Sequence, residues 1–246
     1  MREFGLIGFP LSHSFSKKYF TEKFLREGLA DCQYENFPIE DIAALPALLQ
    51  AHPSLQGFNI TIPYKEKVIP FLSVQSAVVQ EMGACNCVRI AGGQLTGYNT
   101  DVTGFEMSLL PALSPHHQRA LILGTGGAAK AVEYVLKKRG IHYRYVSRQG
   151  GGNRFSYEDI NAAVLADYTL IVNTTPLGMY PATETCPPLP YEAISSRHYL
   201  FDLVYNPAVT KFLAEGAARG AVTKNGADML LIQAEESWKI WNAATM

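Results

Sequence analysis

The sequence predicts an α/β fold with two domains. Short apolar segments alternate with amphipathic segments of helical length in both halves of the chain, and a glycine-rich turn joins a strand to a helix early in the second half. Strands that alternate with helices are typical of parallel or mostly parallel sheets. With 246 residues, the chain is long enough for two domains of modest size.

The first half of the chain predicts a mostly parallel sheet with one antiparallel addition. Its helices are expected at residues 16–28 and 41–50. Gly92 and Gly93 form a two-residue hairpin signal between the last two strand candidates of this half. The strands are expected at residues 4–8, 33–39, 55–61, 85–90 and 94–98.

The second half repeats the alternation of strand and helix. A capping box of Ser156 and Asp159 favours a helix that begins there, and Asn206 with Pro207 fits the N-cap and first position of another. Strands are expected at residues 119–123, 141–147, 170–173 and 199–204. Helices are expected at residues 126–139, 156–167, from 207 onward and at 228–241.

Composition and charge exclude several classes of protein. Hydrophobic residues make up 48% of the chain and charged residues 17%, which argues against disorder. A net charge of −1 gives no electrostatic basis for binding nucleic acid or a membrane surface. The sequence shows neither a membrane-spanning segment nor a secretory signal, so we expect a cytoplasmic protein. The four scattered cysteines predict free thiols, and Cys85 and Cys87 lack the partners that a zinc site needs.

The strongest chemical signal is the turn from Gly124 to Ala129, which follows a strand, opens a helix and matches G-x-G-x-x-A. Glycines allow a tight turn and a close approach of the backbone, and a helix N-terminus offers free N–H groups to a pyrophosphate. The alternative is a glycine turn without a ligand. The strand-to-helix context favours a dinucleotide site at the turn formed by Gly124, Thr125, Gly126, Gly127 and Ala128.

The end of the next strand bears on the choice of cofactor. An NAD site usually places an acidic residue there for the ribose 2′-hydroxyl, but this chain has Ser147 and Arg148. A guanidinium pairs well with a 2′-phosphate, so the sequence favours NADP over NAD. An ordinary surface arginine is the alternative reading of Arg148, and a contribution from Arg154 to the same phosphate stays open.

Three loops of the first half carry polar side chains that are candidates for functional roles. The loop holding Ser14 and Ser16 is rich in hydroxyls that suit a carboxylate, although on this loop alone N-capping of a helix is the better explanation. Lys65 is expected in the first turn of a helix begun by Pro63, on the unfavourable end of its dipole. Asp101 is expected near the start of another helix, where capping is its ordinary role.

Taken together, these motifs resemble the shikimate dehydrogenases over almost the whole chain. No single motif is specific, but eight of them in the same order are. They are H-S-x-S from His13, N-x-T-x-P-x-K from Asn59, G-A-x-N from Gly83, N-T-D from Asn99, G-x-G-G-A from Gly124, N-T-T-P-L-G-M from Asn173, D-L-V-Y-N-P from Asp202 and M-L-L-I-Q-A from Met229.

The resemblance implies two domains with a cleft between them. A mixed-sheet α/β substrate domain would comprise residues 1–101 and 226–246, and a Rossmann-like domain, residues 102–225, would bind NADP(H). The implied catalytic residues are Lys65 and Asp101. The implied substrate contacts are Ser14, Ser16 and Tyr205 to the carboxylate and Thr61, Lys65, Asn86, Asp101 and Gln233 to the ring. The implied cofactor contacts beyond the glycine turn are Ser147, Arg148, Leu203, Gly226 and Met229.

The implied reaction is the NADPH-linked reduction of 3-dehydroshikimate to shikimate, by a monomer or homodimer that needs no metal. Two alternatives stay open: a quinate/shikimate dehydrogenase with relaxed cofactor use, and a non-catalytic sensor of the same fold. Ser16 and the missing acid argue against the first, and intact Lys65 and Asp101 argue against the second. The chain departs from the family pattern mainly around Ser147 and Gln149, which replace an Asn and a Thr.

Overall fold

The computed structural model describes residues 1–11, 15–152 and 154–243. The chain forms two compact units. The first unit runs up to Thr100 and resumes at Ala234, and the second unit spans Asp101–Gln233. The return to the first unit therefore comes later than the expected position near Gly226. None of the helices in the described ranges is long and apolar enough to cross a membrane.

The first unit is built on a mixed six-stranded sheet with the order β2-β1-β3-β5-β6-β4. Strand β5 is antiparallel to both of its neighbours, and the other pairs are parallel. This agrees with the expected antiparallel hairpin; only the two-residue β4 was not predicted. The strands are β1 (Arg2–Gly8), β2 (Cys32–Pro38), β3 (Leu55–Ile60), β4 (Val74–Gln75), β5 (Cys87–Ala91) and β6 (Gln94–Tyr98). The helices are α1 (Phe15–Arg26), α2 (Leu45–Ala51) and α3 (Ala77–Met82).

The second unit contains a six-stranded parallel sheet with the order β12-β11-β10-β7-β8-β9. This is the doubly wound order of dinucleotide-binding folds, in which the order reverses between the first and fourth strands, here β7 and β10. The strands are β7 (Arg119–Leu123), β8 (His142–Ser147), β9 (Arg154–Ser156), β10 (Leu170–Asn173), β11 (Tyr199–Asp202) and β12 (Val222–Lys224). The later helices are α4 (Thr100–Leu109), α5 (Gly127–Lys138), α6 (Ala162–Asp167), α7 (Lys211–Ala217) and α8 (Ala227–Asn242).

An aromatic cluster closes the core of the first unit. The ring of Phe4 on β1 stacks on Trp241 of α8 with centroids 5.0 Å apart and meets Trp238 edge-on at 5.3 Å. Gly57 on β3 lies against the same indole, because a Cβ there would come within 2.2 Å of Trp241 Cδ1. The part of α8 from Ala234 onward therefore belongs to the packing of the N-terminal sheet.

Three expected helix starts are wrong. Lys65 lies in a series of turns rather than in a helix, and its carbonyl accepts a bond from Cys85 N–H at 2.8 Å. The helix expected from Pro207 begins at Lys211, since Thr210 is its N-cap. The capping box of Ser156 opens only a short 3₁₀ helix, and Asn161 caps α6.

Candidate functional site

The turn after β7 has the geometry of a phosphate-binding loop. Gly124 adopts a φ of 100°, which favours glycine, and its N–H bonds to the Val146 carbonyl at 2.8 Å. A Cβ on Gly124 would come within 2.9 Å of both Thr174 Oγ1 and Thr175 Cγ2. The first glycine is therefore required by conformation and by its contacts with the loop that follows β10.

The next two glycines leave the helix N-terminus open. Gly126 is the N-cap of α5 and supplies no side-chain bond, and Gly127 is the first helical residue. A Cβ added at either position would meet nothing within 4 Å. Thr125 and both glycines are exposed, whereas Ala129 packs the helix onto the sheet. Exposed backbone at the N-terminus of a 12-residue helix suits a pyrophosphate, so these residues fit a dinucleotide.

Arg148 follows the adjacent strand. Because β7 and β8 are parallel neighbours, Arg148 lies at the same edge of the sheet as the glycine turn. The guanidinium side chain is exposed, and the preceding Ser147 hydroxyl donates to the Gln149 carbonyl at 2.6 Å. Arg154 lies on β9 opposite Tyr145, further back along the sheet.

The other three expected cofactor residues also lie within the second unit. Gly226 N–H bonds to the Val204 carbonyl, and a Cβ on Gly226 would come within 2.2 Å of the Leu203 carbonyl oxygen. Met229 follows in the first turn of α8, where its carbonyl lies against Gly104 of α4. The structure thus brings Leu203 and Gly226 into direct contact and places Met229 close along the chain.

Sequence reasoning assigned no role to Asp202, which anchors the loop that carries Leu203 and Tyr205. Its buried carboxylate accepts bonds from Asn173 Nδ2 (2.9 Å), Val204 N–H (3.0 Å) and Thr210 Oγ1 (2.6 Å). Burial raises the pKa of Asp202 to about 6, although these three bonds favour the ionised form. The signal in the sequence is an acidic residue at the end of a strand that is otherwise apolar.

Asn173 extends this anchor to the phosphate-binding loop. Its side-chain oxygen accepts bonds from the Thr175 N–H at 3.0 Å and the Thr175 hydroxyl at 2.6 Å. Thr175 in turn lies against Gly124. The loops that follow β7, β10 and β11 are therefore joined by one series of buried or half-buried contacts.

In the first unit, the structure ties Lys65 and Thr61 to fixed neighbours. Thr61 N–H bonds to the Ile7 carbonyl at 2.9 Å, and the Thr61 side chain lies against Gly8. The half-buried Lys65 follows Tyr64, whose buried ring is held by a bond from its hydroxyl to the Ile39 carbonyl at 2.6 Å. The position of Lys65 is set by this anchor and by Cys85 rather than by a helix.

Ser16 and Asn86 also belong to the first unit. Ser16 lies half-buried in the first turn of α1, near enough to Tyr34 to act on its hydroxyl. Asn86 precedes β5, is almost fully buried and pairs with Thr100. Ser14, the other serine expected at the carboxylate, lies outside the described residues.

The remaining expected substrate residues lie in the second unit. Asp101 is half-buried in the first turn of α4, and Gln233 is buried on α8 with its amide donating to the Leu230 carbonyl at 3.0 Å. Helices α4 and α8 touch, because a Cβ on Gly104 would come within 3.2 Å of Gln233 Cβ. Tyr205 is exposed on the loop that Asp202 anchors.

The thiols of Cys85 and Cys87 are buried, and burial raises the pKa of Cys87. Within residues 1–11, 15–152 and 154–243, no group of three or more His, Cys, Asp or Glu side chains is placed to hold a metal ion. These cysteines therefore contribute to the core.

Comparison with known proteins gives consistent matches over almost the whole chain. Residues 6–88 match the family model of the shikimate dehydrogenase substrate binding domain. The NADP(+) shikimate dehydrogenase of Carboxydothermus hydrogenoformans is 36% identical, over 98% of this chain and 91% of the relative.

Two solved structures show the same fold. The shikimate 5-dehydrogenase of Thermus thermophilus, in complex with NADP(H) and shikimate, is 30% identical with a TM-score of 0.85, over 98% of this chain and 94% of the other. The quinate dehydrogenase of Corynebacterium glutamicum, in complex with NAD, is 28% identical with a TM-score of 0.87, over 98% and 93% of the two chains. The expected family and fold class are confirmed: the chain belongs to the shikimate dehydrogenase family.

Proposed function

We propose that this protein is an NADP-dependent shikimate dehydrogenase, an oxidoreductase that interconverts 3-dehydroshikimate and shikimate. The observation that carries this proposal is the near-complete match to curated NADP(+) shikimate dehydrogenases, at 36% identity over 98% of the chain in one case. The residues described above supply the binding groups that this chemistry needs in each unit.

The second unit binds the cofactor. Backbone N–H groups from Gly124 to Ala128 hold the pyrophosphate, and Arg148 pairs with the 2′-phosphate of the adenosine ribose. Leu203, Gly226 and Met229 form the surface for the nicotinamide, which supplies the hydride in the reducing direction. Asp202 keeps the Leu203 loop in place through its bond from the Val204 N–H.

The proposed substrate groups provide hydroxyls for a carboxylate and amides or acids for ring hydroxyls. Ser14, Ser16 and Tyr205 bind the carboxylate, whereas Thr61, Asn86, Asp101 and Gln233 bind the ring. Lys65 delivers a proton to the alkoxide oxygen as the ketone is reduced.

Initial rates with shikimate or quinate, each with NADP⁺ or NAD⁺, test this function. We expect shikimate with NADP⁺ to be the preferred pair, with kcat/KM for shikimate exceeding that for quinate by about tenfold to a hundredfold. Quinate has a tetrahedral carbon with an extra hydroxyl where shikimate has a planar carbon. That hydroxyl would leave buried polar groups unpaired, at about 1–3 kcal/mol each.

The fold alone does not distinguish the two substrates, because the quinate dehydrogenase has the same fold. The comparison of rates with shikimate and quinate therefore decides between them. Comparable turnover of quinate would reassign the chain to the quinate/shikimate group. Binding of shikimate without turnover of any of the four pairs would instead support a sensor.

Replacing Arg148 by leucine should weaken NADPH binding by about 1.5–3 kcal/mol, the range for a charged hydrogen bond, and leave NADH binding nearly unchanged. Titration of each cofactor by fluorescence measures both affinities. The matched control is Arg119→Leu, since Arg119 is also exposed but begins β7 at the opposite edge of the sheet. Equal losses for NADPH and NADH in the Arg148 variant would assign this side chain to adenine stacking or to folding.

A further inference from the structure

A network of buried side chains lies beneath the proposed substrate-binding residues of the first unit. Its centre is Asn59 on β3, which uses both of its N–H groups: one bonds to the Asn86 carbonyl at 3.2 Å and one to Ser237 Oγ at 2.9 Å. The Asn59 side-chain oxygen accepts a bond from the Tyr34 hydroxyl at 2.9 Å. With its donors used internally, Asn59 holds neighbouring groups in place.

Ser237 connects this centre to a second pair of residues. Its hydroxyl lies 3.3 Å from Thr100 Oγ1, and both side chains are essentially inaccessible to solvent. Ser237 lies on α8, far along the chain from β3 and from the start of α4. One buried hydroxyl therefore joins three segments that form a single packed unit.

The network fixes the orientation of the Asn86 amide. Asn86 Oδ1 accepts the Thr100 backbone N–H at 2.6 Å, and Asn86 Nδ2 donates to Thr100 Oγ1 at 3.0 Å. This pairing turns the carbonyl side of the amide inward. An amide nitrogen carries two hydrogens, and among the described residues Asn86 Nδ2 donates only to Thr100, so its second N–H can serve a ligand oxygen.

At its other end, the network reaches the proposed carboxylate site. The Tyr34 ring is buried and stacks on Phe20 of α1 at 4.6 Å. Its hydroxyl donates to Asn59; burial raises the pKa of Tyr34, and the nearby Ser16 side chain acts against this by lowering it. Two proposed substrate contacts, Ser16 and Asn86, are thus linked through the buried side chains of Tyr34 and Asn59.

We propose that Ser237 is a positioning residue for substrate: by holding Asn59 and Thr100 together, its hydroxyl presents the Asn86 amide as a donor to a ring oxygen of the substrate. This inference rests on the proposed function and adds to it a residue on α8 that acts through Asn86. A buried hydrogen-bonded network of this kind favours one arrangement of its members.

Steady-state kinetics of Ser237→Ala tests the inference. We expect KM for shikimate to rise about threefold to tenfold, the effect of one neutral hydrogen bond, while KM for NADP⁺ stays unchanged and kcat changes less than about twofold. Thr100→Val, which removes the hydroxyl at constant shape, should do the same, and Thr100→Ser should restore wild-type KM.

The matched control is Ser108→Ala. Ser108 is buried on α4, and within the described residues its hydroxyl has no hydrogen-bond partner. This variant should leave both KM values unchanged. If Ser237→Ala lowered kcat and thermal stability and raised both KM values together, the residue would have a general structural role. That result would overturn the inference.

A second readout separates the inference from the proposed function. In ¹⁵N-labelled protein without substrate, the Asn86 side-chain amide protons should shift and exchange faster with solvent in Ser237→Ala, but not in Ser108→Ala. Absence of shikimate turnover by the wild-type protein would reject the proposed function. The Asn86 amide measurement would still test whether Ser237 orients that amide. Unchanged Asn86 amide signals would overturn the inference even in an active enzyme.

Discussion

Lys65→Met is expected to lower kcat for shikimate oxidation by about 10²–10⁴-fold, the usual contribution of a positioned proton donor or acceptor. Methionine is close to lysine in length and flexibility but has no acidic proton to transfer. The Kd for shikimate should change much less, because binding is shared among several hydroxyl and amide groups. Stopped-flow measurement of hydride transfer, with Kd from calorimetry, separates the two effects.

Lys67→Met is the matched control, since Lys67 is exposed only two residues away. It should retain wild-type kcat. Asp101→Ala should also be severely impaired, and the double variant should lose less than the product of the two single losses, because residues that act together are not additive. Turnover close to wild type in Lys65→Met would exclude Lys65 as the proton donor.

Overpacked sites usually lose about 1–3 kcal/mol of stability. We expect Gly226→Ala to destabilise the second unit by an amount near the upper end of this range. The added methyl would come within 2.2 Å of the Leu203 carbonyl oxygen and 2.7 Å of its carbon. Both are backbone atoms, so no side-chain rotation relieves the contact. Because the displaced segment carries Leu203, NADPH affinity should fall as well. Urea unfolding and NADPH titration measure the two losses.

The same substitution at Gly127 provides the contrast. An added methyl there meets nothing within 4 Å, and alanine favours the helical conformation, so stability should stay the same or rise by up to about 1 kcal/mol. NADPH binding should nevertheless weaken, because the methyl would occupy the approach of a pyrophosphate to the α5 N-terminus. Unaltered NADPH affinity in Gly127→Ala would argue against this loop as the pyrophosphate site.

The sequence predicted most of the second unit because its signals are local. The predicted strands 119–123 and 170–173 coincide with β7 and β10, and the glycine turn lies between β7 and α5 as expected. The strands that escaped prediction, β4, β9 and β12, have two or three residues each. Such short segments carry too little periodicity to be recognised.

Local signals failed where a distant partner decided the outcome. At Lys65, where a helix was expected, the carbonyl instead bonds to the N–H of Cys85, twenty residues further along the chain. The polar network could not be predicted for the same reason, since Tyr34, Asn59 and Ser237 meet only through the folded sheet and α8. The sequence motifs contain Asn86, Ser16, Asn59 and Thr100, but nothing in the sequence pointed to Tyr34 or Ser237 as their partners.

The division of the first unit along the chain has a consequence for the order of folding during synthesis. The second unit is one continuous segment, Asp101–Gln233, and its sheet is complete once this segment has been made. The first unit cannot be completed until Ala234 and the residues after it have been made. Before that point, Phe4 lacks its stacking partner Trp241, and Asn59 lacks Ser237. Since domains generally fold as units, the nascent N-terminal sheet exposes apolar and polar surfaces that α8 later covers.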